Sequence, residues 1–220
     1  ELVFCELYAG GKYNNNSAEN YEYSLGLNGL GLCSTQYSSE YMDVEIKRDG
    51  FIYSLHFEKG ESIGGLKKEP YTQKDTGTKI RWRPDLEVFT DIQIPETYYL
   101  DVLKRQAVVN PKLRFIFRNE TPEGIKETEF YYENGISDYV TEIAGDKALT
   151  SVQFLSGERR GKDRSDKPEY KVLLNCAFCF SSSISRLEYY HNSSWLEYGG
   201  SPDKAVRSAF VSAIDAHLKQ

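Results

Sequence analysis

Two segments joined by Asp49-Gly50 constrain the fold of this chain more than any other feature. Residues 42–48 alternate between apolar and charged side chains, a pattern typical of a strand with one buried face. Asp49-Gly50 follows directly, and this dipeptide favours the two-residue turn of a β-hairpin. Residues 51–58 return as the partner strand. We therefore predict an antiparallel hairpin with one face packed in a core.

The other segments predict helices and strands in mixed order, which indicates an α+β fold with a domain limit near Asn134. Strands are predicted at residues 78–83, 113–118, 128–133, 171–180 and 184–190, and helices at 1–7, 32–41, 95–109 and 136–143. Ser201 and Pro202 suit the N-cap and first position of a last helix, which has an apolar stripe. Residues 157–169 mix basic with acidic side chains, so we predict an exposed loop there rather than a DNA contact.

The acidic balance of the chain bears on its partners. The 220 residues carry a formal net charge of −6, whereas nucleic-acid binding needs clustered Lys and Arg. We therefore expect any DNA contacts to lie elsewhere in a longer chain. No apolar run approaches the ~20 residues of a membrane span, and the first residues do not resemble a signal peptide. We predict a cytoplasmic protein without a membrane segment.

The four cysteines predict neither a disulfide framework nor a zinc site. Cys5, Cys33, Cys176 and Cys179 are scattered, which favours a reducing compartment. Cys176-x-x-Cys179 has the spacing of half a zinc site, but the other two cysteines do not form the second pair that such a site needs. Both lie in an apolar run, where we expect them to pack as core residues.

A glycine-rich segment at residues 26–31, Gly-Leu-Asn-Gly-Leu-Gly, precedes a predicted helix. Glycine lets several backbone N–H groups converge on a phosphate, and a helix N-terminus adds a favourable dipole. No obvious strand precedes it, which disfavours a dinucleotide-binding fold. Gly10-Gly11-Lys12 could bring a cation to a terminal phosphate, and Thr76-Gly77-Thr78 offers a hydroxyl beside a glycine. Each motif alone is equally consistent with an ordinary turn or surface residue.

The order of these motifs resembles the ATPase subunits of type II DNA topoisomerases, DNA gyrase B and topoisomerase IV. Residues 9–13 and 21–31 resemble the ATP lid of that family. Residues 75–85 resemble its Gly-Thr strand, and residues 130–136 resemble its junction with the next domain. Gly199-Gly200-Ser201 and the helix after it resemble the end of its transducer domain. The resemblance covers nearly the whole chain in the same order.

This resemblance implies both a fold and a ligand. Residues 1–134 would form the C-terminal part of a Bergerat-type ATPase α/β sandwich with its lid. Residues 135–220 would form part of a transducer domain, like domain 2 of ribosomal protein S5. ATP would be the ligand, with Mg²⁺ bound by a residue upstream of this chain.

The resemblance also assigns roles toward ATP to individual residues. Lys12 would contact the γ-phosphate, and Tyr21 would contact the adenine. Thr78 would lie near the adenine pocket, and Arg48 at the pocket mouth. The backbone N–H groups that would bind the β- and γ-phosphates are those of Leu27, Asn28, Gly29, Leu30 and Gly31.

The chain departs from the family at Leu25, Asn28 and Gln36, where Gly, His and Asn are usual. In the family the Glu that activates water, the Asn that binds magnesium and the Asp that reads adenine all lie upstream of the lid. The chain opens on Glu1 rather than Met, so we expect a fragment that lacks these residues. We therefore predict no catalytic residue here and no competent hydrolysis by the fragment alone. His56 is better explained as a packed or surface residue.

The resemblance implies an ATPase and transducer segment that couples ATP binding and hydrolysis to DNA strand passage. The expected assembly is a homodimer that works with a cleavage subunit of the gyrase A or topoisomerase IV A type, with DNA bound by other domains. A mismatch-repair or Hsp90-like ATPase is one alternative, which Trp82-x-Pro84-Asp85 and the junction sequence disfavour. A non-catalytic nucleotide-binding module is another, which Leu25 and Asn28 leave open. Gyrase and topoisomerase IV are not distinguished.

Overall fold

The computed structural model describes residues 2–9, 29–162, 164–166 and 169–219. These residues divide into two compact units, one with residues 2–9 and 29–94 and the other with residues 95–219. Asn134, where we placed the domain limit, lies inside the second unit, so the division into 1–134 and 135–220 stays a prediction. The mixture of helices and strands confirms the α+β expectation.

The first unit is built around one antiparallel sheet. Its strand order is β3-β2-β1-β5, and β4 also pairs with β2. Two short helices precede the sheet in the chain. The elements are α1 (Leu2–Cys5), α2 (Gly31–Tyr37), β1 (Ser39–Arg48), β2 (Phe51–Glu58), β3 (Glu61–Ser62), β4 (Lys67–Pro70) and β5 (Gly77–Pro84).

The predicted hairpin is confirmed as β1 and β2, which pair from Tyr41 with Glu58 to Arg48 with Phe51. Asp49 and Gly50 have φ values of 53° and 77°, as a type I′ turn requires at both central residues. The helix predicted at 32–41 was too long. It ends at Tyr37, because Ser39 already pairs with Pro84 of β5.

One face of this sheet carries the core of the first unit. Phe4 packs there with buried residues of the hairpin, namely Met42, Val44, Leu55 and Phe57. The register places Met42 opposite Phe57 and Val44 opposite Leu55, so the apolar side chains of both strands face the same side. Full burial of a side chain such as Phe57, which is 1% exposed, contributes about 1.5–3 kcal/mol.

The second unit contains three separate antiparallel strand pairs and three helices. Its small core includes Ala107, Val108, Tyr132 and Tyr139. The elements are α3 (Glu96–Val109), β6 (Phe115–Thr121), β7 (Gly124–Phe130), α4 (Ile136–Ala144), β8 (Gln153–Gly161), β9 (Tyr170–Phe178), β10 (Tyr190–His191), β11 (Ser194–Trp195) and α5 (Gly200–Leu218). A 3-10 turn, Gly145–Lys147, follows α4.

Three predictions for this unit were wrong. The first part of the predicted loop at 157–169 belongs to β8, where Arg159 pairs with Val172 of β9. Charged residues are accommodated there because most side chains of this hairpin are exposed. The strand predicted at 184–190 shrinks to β10, because Arg186 and Glu188 instead make side-chain hydrogen bonds within the unit. Helix α5 begins at Gly200, so Gly199 rather than Ser201 occupies the N-cap.

The described helices include none that is both long and apolar enough to span a bilayer. Cys176 and Cys179 are free and only partly buried. Phe210 of α5 packs edge-to-face against Phe178 with ring centroids 5.1 Å apart. Other apolar residues of this helix, such as Ile214, are exposed.

Candidate nucleotide site

Part of the predicted nucleotide site lies in the first unit. Lys12, Tyr21, Leu27 and Asn28 lie outside the described residues. Those described are Gly29, Leu30, Gly31, Arg48 and Thr78.

The end of the glycine-rich segment leads into a helix, as predicted. Gly29 has a φ of 59°, and Leu30 is the N-cap of α2. The Leu30 carbonyl accepts a hydrogen bond of 2.8 Å from the backbone N–H of Ser34. The first N–H groups of a helix have no partner inside it, so this turn can present donors to an anion.

Arg48 and Thr78 lie on the same face of the sheet. The register of β1 and β5 pairs Ile46 with Thr78, and directly paired residues share a face. Arg48 follows Ile46 by two residues, so it lies on that face as well. Their face is the one that carries the core, and both residues lie at the end of the sheet beside the Asp49-Gly50 turn. The sheet therefore brings together two residues that are 30 positions apart in the sequence.

Arg48 is available for a ligand charge. Its side chain is 74% exposed, and its Nε lies 3.3 Å from Oδ2 of the neighbouring Asp49. An exposed pair of this kind contributes little stability, so a negatively charged ligand can compete with Asp49 for the guanidinium. Thr78 is also exposed.

A loop that the sequence did not mark borders the same end of the sheet. Residues 71–76, here named the strap, connect β4 to β5. With Arg48, Asp49 and Gly50 they line an open cavity of about 400 Å³. Lys47 Nζ lies 3.1 Å from Asp75 Oδ2, and the two residues are 28 positions apart. No local pattern signals a pair that distant.

The same contacts shift two pKa values. The Tyr71 hydroxyl and the Asp75 carboxylate raise the pKa of the Lys47 amine above its usual range. Tyr71 and Lys47 in turn lower the pKa of Asp75. Both side chains are therefore charged at neutral pH.

Comparison with known proteins bears on this arrangement. The chain is 34% identical over 162 residues to DNA gyrase B of Synechocystis sp., an alignment that covers 72% of this chain and 15% of that protein. It is 34% identical over 168 residues to the B-type component of DNA topoisomerase 4 from Salmonella typhimurium, covering 74% of this chain and 26% of that protein. The chain thus spans about a quarter or less of these relatives. No family model matches it.

The chain is homologous to the ATPase region of the gyrase B and topoisomerase IV B proteins. Its structure resembles the 43K ATPase domain of Thermus thermophilus gyrase B, which was solved in complex with an aminocoumarin. The TM-score is 0.54 and the identity 23%, over 59% of this chain and 36% of that one. This likeness shows a shared fold.

The opposite face of the sheet in this gyrase B homologue is polar. His56 lies there with its Nδ1 2.7 Å from Asp43 Oδ1 and its Nε2 3.2 Å from Glu58 Oε1. Asp43 and Glu58 raise the pKa of His56, with Asp43 the larger influence. His56 therefore lies on the face away from Arg48 and Thr78 and is a surface residue, as the sequence indicated.

Gln36 differs from the usual family Asn in a position that matters for packing. It is fully buried in α2, and neither of its amide atoms has a hydrogen-bond partner among the described residues. Leaving a buried polar group unpaired costs about 1–3 kcal/mol. The longer side chain at this position therefore places a polar group in the core next to the helix that follows Gly31.

The residues described fit a nucleotide better than a metal ion. Thr78 offers a hydroxyl, Arg48 a cation, and residues 29–31 backbone donors. Across the described ranges, no cluster of three or more His, Cys, Asp or Glu side chains could hold a metal ion. The expected magnesium ligand is accordingly not assigned to any residue in those ranges.

Proposed function

We propose that this chain is the ATPase and transducer segment of a type II DNA topoisomerase, in which ATP binding and hydrolysis drive DNA strand passage. The observation that carries the proposal is the β1–β5 register, which brings Thr78 and Arg48 to one face of a sheet. The homology to gyrase B and topoisomerase IV B proteins supports it. In this proposal the first unit is the later part of a Bergerat-type ATPase fold, and residues from 135 onward belong to an S5-like transducer.

In this proposal each site residue has a separate task. The backbone N–H groups of Leu27, Asn28, Gly29, Leu30 and Gly31 bind the β- and γ-phosphates, because converging peptide dipoles stabilise an oxyanion. Lys12 contacts the γ-phosphate as a point charge. Tyr21 and Thr78 contact the adenine end, and Arg48 contributes positive charge at the pocket mouth.

Further elements of the proposal concern the whole protein. The protein acts in the cytoplasm as a homodimer with a cleavage subunit, and other domains bind DNA. Mg²⁺ neutralises phosphate charge and is held by a residue outside this chain. The relatives named above are topoisomerase subunits, which favours this function over a mismatch-repair or Hsp90-like ATPase.

Calorimetric titration of the full-length natural protein with a non-hydrolysable ATP analogue tests the proposal. Arg48→Ala and Thr78→Ala should each weaken binding about threefold to tenfold, the effect of one lost hydrogen bond. Lys12→Ala should weaken it as well.

Arg81→Ala is the matched control for the charge change at Arg48. Arg81 is also an exposed arginine near the sheet, but it pairs with Asp43 and so lies on the opposite face of β5 from Thr78. Its affinity should equal that of wild type. Wild-type affinity in both Arg48→Ala and Thr78→Ala would refute the proposed site.

A further inference from the structure

The path of the strap is not dictated by its length. Because β4 lies beside β2 and β5 beside β1, the strap crosses the ends of two strands. Three strand spacings of about 4.8 Å make this distance about 14 Å. Seven peptide steps from Pro70 to Gly77 can reach about 23 Å when extended. The excess length means that specific contacts, rather than chain tension, hold the strap in one position.

Backbone and side-chain contacts supply that restraint. The backbone N–H of Tyr71 donates to the carbonyl of Gly50 at 2.8 Å, which holds the beginning of the strap against the hairpin turn. Near its end, Asp75 accepts from Lys47 at 3.1 Å and from the Tyr71 hydroxyl at 2.6 Å. The Lys47 amine also lies 4.9 Å from the centre of the Tyr71 ring. Each pair among these three side chains is therefore in contact.

The contact between Tyr71 and Asp75 is charge-assisted. The Tyr71 hydroxyl also lies 2.9 Å from Gln73 Oε1, but it has a single proton to donate. The carboxylate is both closer and ionised, so it takes the proton, and charge-assisted bonds are about twice as strong as neutral ones. The strap is thus tied by an ion pair, a strong hydrogen bond and a cation–π contact.

These three residues lie next to Thr78 without sharing its face. Lys47 pairs with Gly77, directly beside the Ile46–Thr78 pair, and side chains of adjacent residues on a strand point to opposite faces. Among the described pairings, β5 has only β1 as a neighbour. The beginning of such a strand opens locally unless something restrains it.

We infer that Lys47, Tyr71 and Asp75 are positioning residues for the nucleotide site, because they hold the start of β5 in the register that places Thr78 beside Arg48. The inference rests on the proposed function. The three side chains act through the backbone of residues 76–78 and do not touch the nucleotide themselves.

The experiment compares Lys47→Gln and Asp75→Asn with the charge-reversed pair Lys47→Asp/Asp75→Lys in the full-length natural protein. Three quantities are measured: affinity for a non-hydrolysable ATP analogue, hydrogen exchange of residues 72–78, and the thermal unfolding midpoint. Each single variant should weaken affinity about threefold to tenfold, in the range of couplings through a packed network, and accelerate exchange. The reversed pair should recover most of both. A general loss of stability would lower the unfolding midpoint, which should stay near that of wild type.

The matched control is Lys59→Gln. It removes the same charge and breaks an exposed ion pair of 2.7 Å with Glu87 in the same unit, away from the strap. This variant should bind like wild type.

Faster exchange in Lys47→Gln with unchanged affinity would overturn the inference, as would unchanged exchange. Failure of the proposed function gives a different result. In that case Thr78→Ala itself leaves affinity unchanged, and both ideas are refuted together. If only the inference is wrong, Thr78→Ala weakens binding while Lys47→Gln does not.

Discussion

Gly135→Ala tests how closely the end of α3 approaches the start of α4. Gly135 precedes α4 with φ 55° and ψ −123°, a conformation that costs an L-residue about 1–3 kcal/mol. A Cβ at this position would also lie 3.1 Å from the carbonyl oxygen of Val108 and 3.4 Å from Cβ of Pro111. Because the first contact is with backbone, the chain must shift to relieve it, and overpacking of this kind costs about 1–3 kcal/mol more.

Gly145→Ala is a control in nearly the same backbone conformation. Gly145 follows α4 with φ 46° and ψ −137°, but a Cβ there would meet no atom within 4 Å. Strain is therefore common to both variants and cancels in the comparison. We expect Gly135→Ala to lower the free energy of unfolding by about 1–3 kcal/mol more than Gly145→Ala, the contribution of crowding alone.

Urea unfolding followed by tryptophan fluorescence measures this difference. The chain has two tryptophans, and only Trp195 lies in the unit that contains both glycines. A Trp82→Phe background makes the signal specific for that unit. Trp195 reports on tertiary structure because the guanidinium of Arg105 lies 3.5 Å from its ring centre. Equal losses in the two alanine variants would refute the close approach.

Three further predictions concern the cores and two charged clusters. Phe57→Ala should lower the free energy of unfolding by about 3–5 kcal/mol in urea titrations, because this ring is 1% exposed and its removal leaves a cavity. Tyr139→Phe should lower it by about 1–2 kcal/mol at neutral pH in the same assay, since its hydroxyl lies 3.1 Å from Glu188 Oε1. Burial raises the pKa of Glu188, but its hydrogen bonds outweigh this and lower it. Its stabilisation is thus present above the unfolded pKa and lost as pH falls through the folded value, and acid unfolding of Tyr139→Phe should begin at higher pH. Asp43 raises the pKa of His56, so that pair stabilises below the unfolded pKa of about 6.5 and is lost as pH rises through the folded value. The melting temperature of His56→Gln should accordingly depend less on pH above 6.5.

Each of these predictions can fail independently. A loss below about 1 kcal/mol for Phe57→Ala would contradict its burial. An acid transition in Tyr139→Phe at the wild-type pH would show that the hydroxyl does not help to keep Glu188 ionised. A His56→Gln protein with the full pH dependence of wild type would remove His56 as its source.

Local patterns were sufficient for the elements whose signals lie close together in the chain. The β1–β2 hairpin was predicted because alternation and a type I′ turn act over a few residues. Helix α3 was predicted at 95–109 and found at Glu96–Val109. By contrast, the strand predicted at 184–190 failed, because Glu188 pairs through its side chain with Tyr139, 49 positions away.

The candidate site divides in the same way. The sequence alone determined that a glycine-rich segment ends at a helix and that Arg48 closes a strand, because turn and strand preferences are local. Only the tertiary structure decided that Thr78 shares a face with Arg48 and that Asp75 meets Lys47. Those relations depend on the register between β1 and β5. Register is set by packing of the apolar face, and no short segment contains that information.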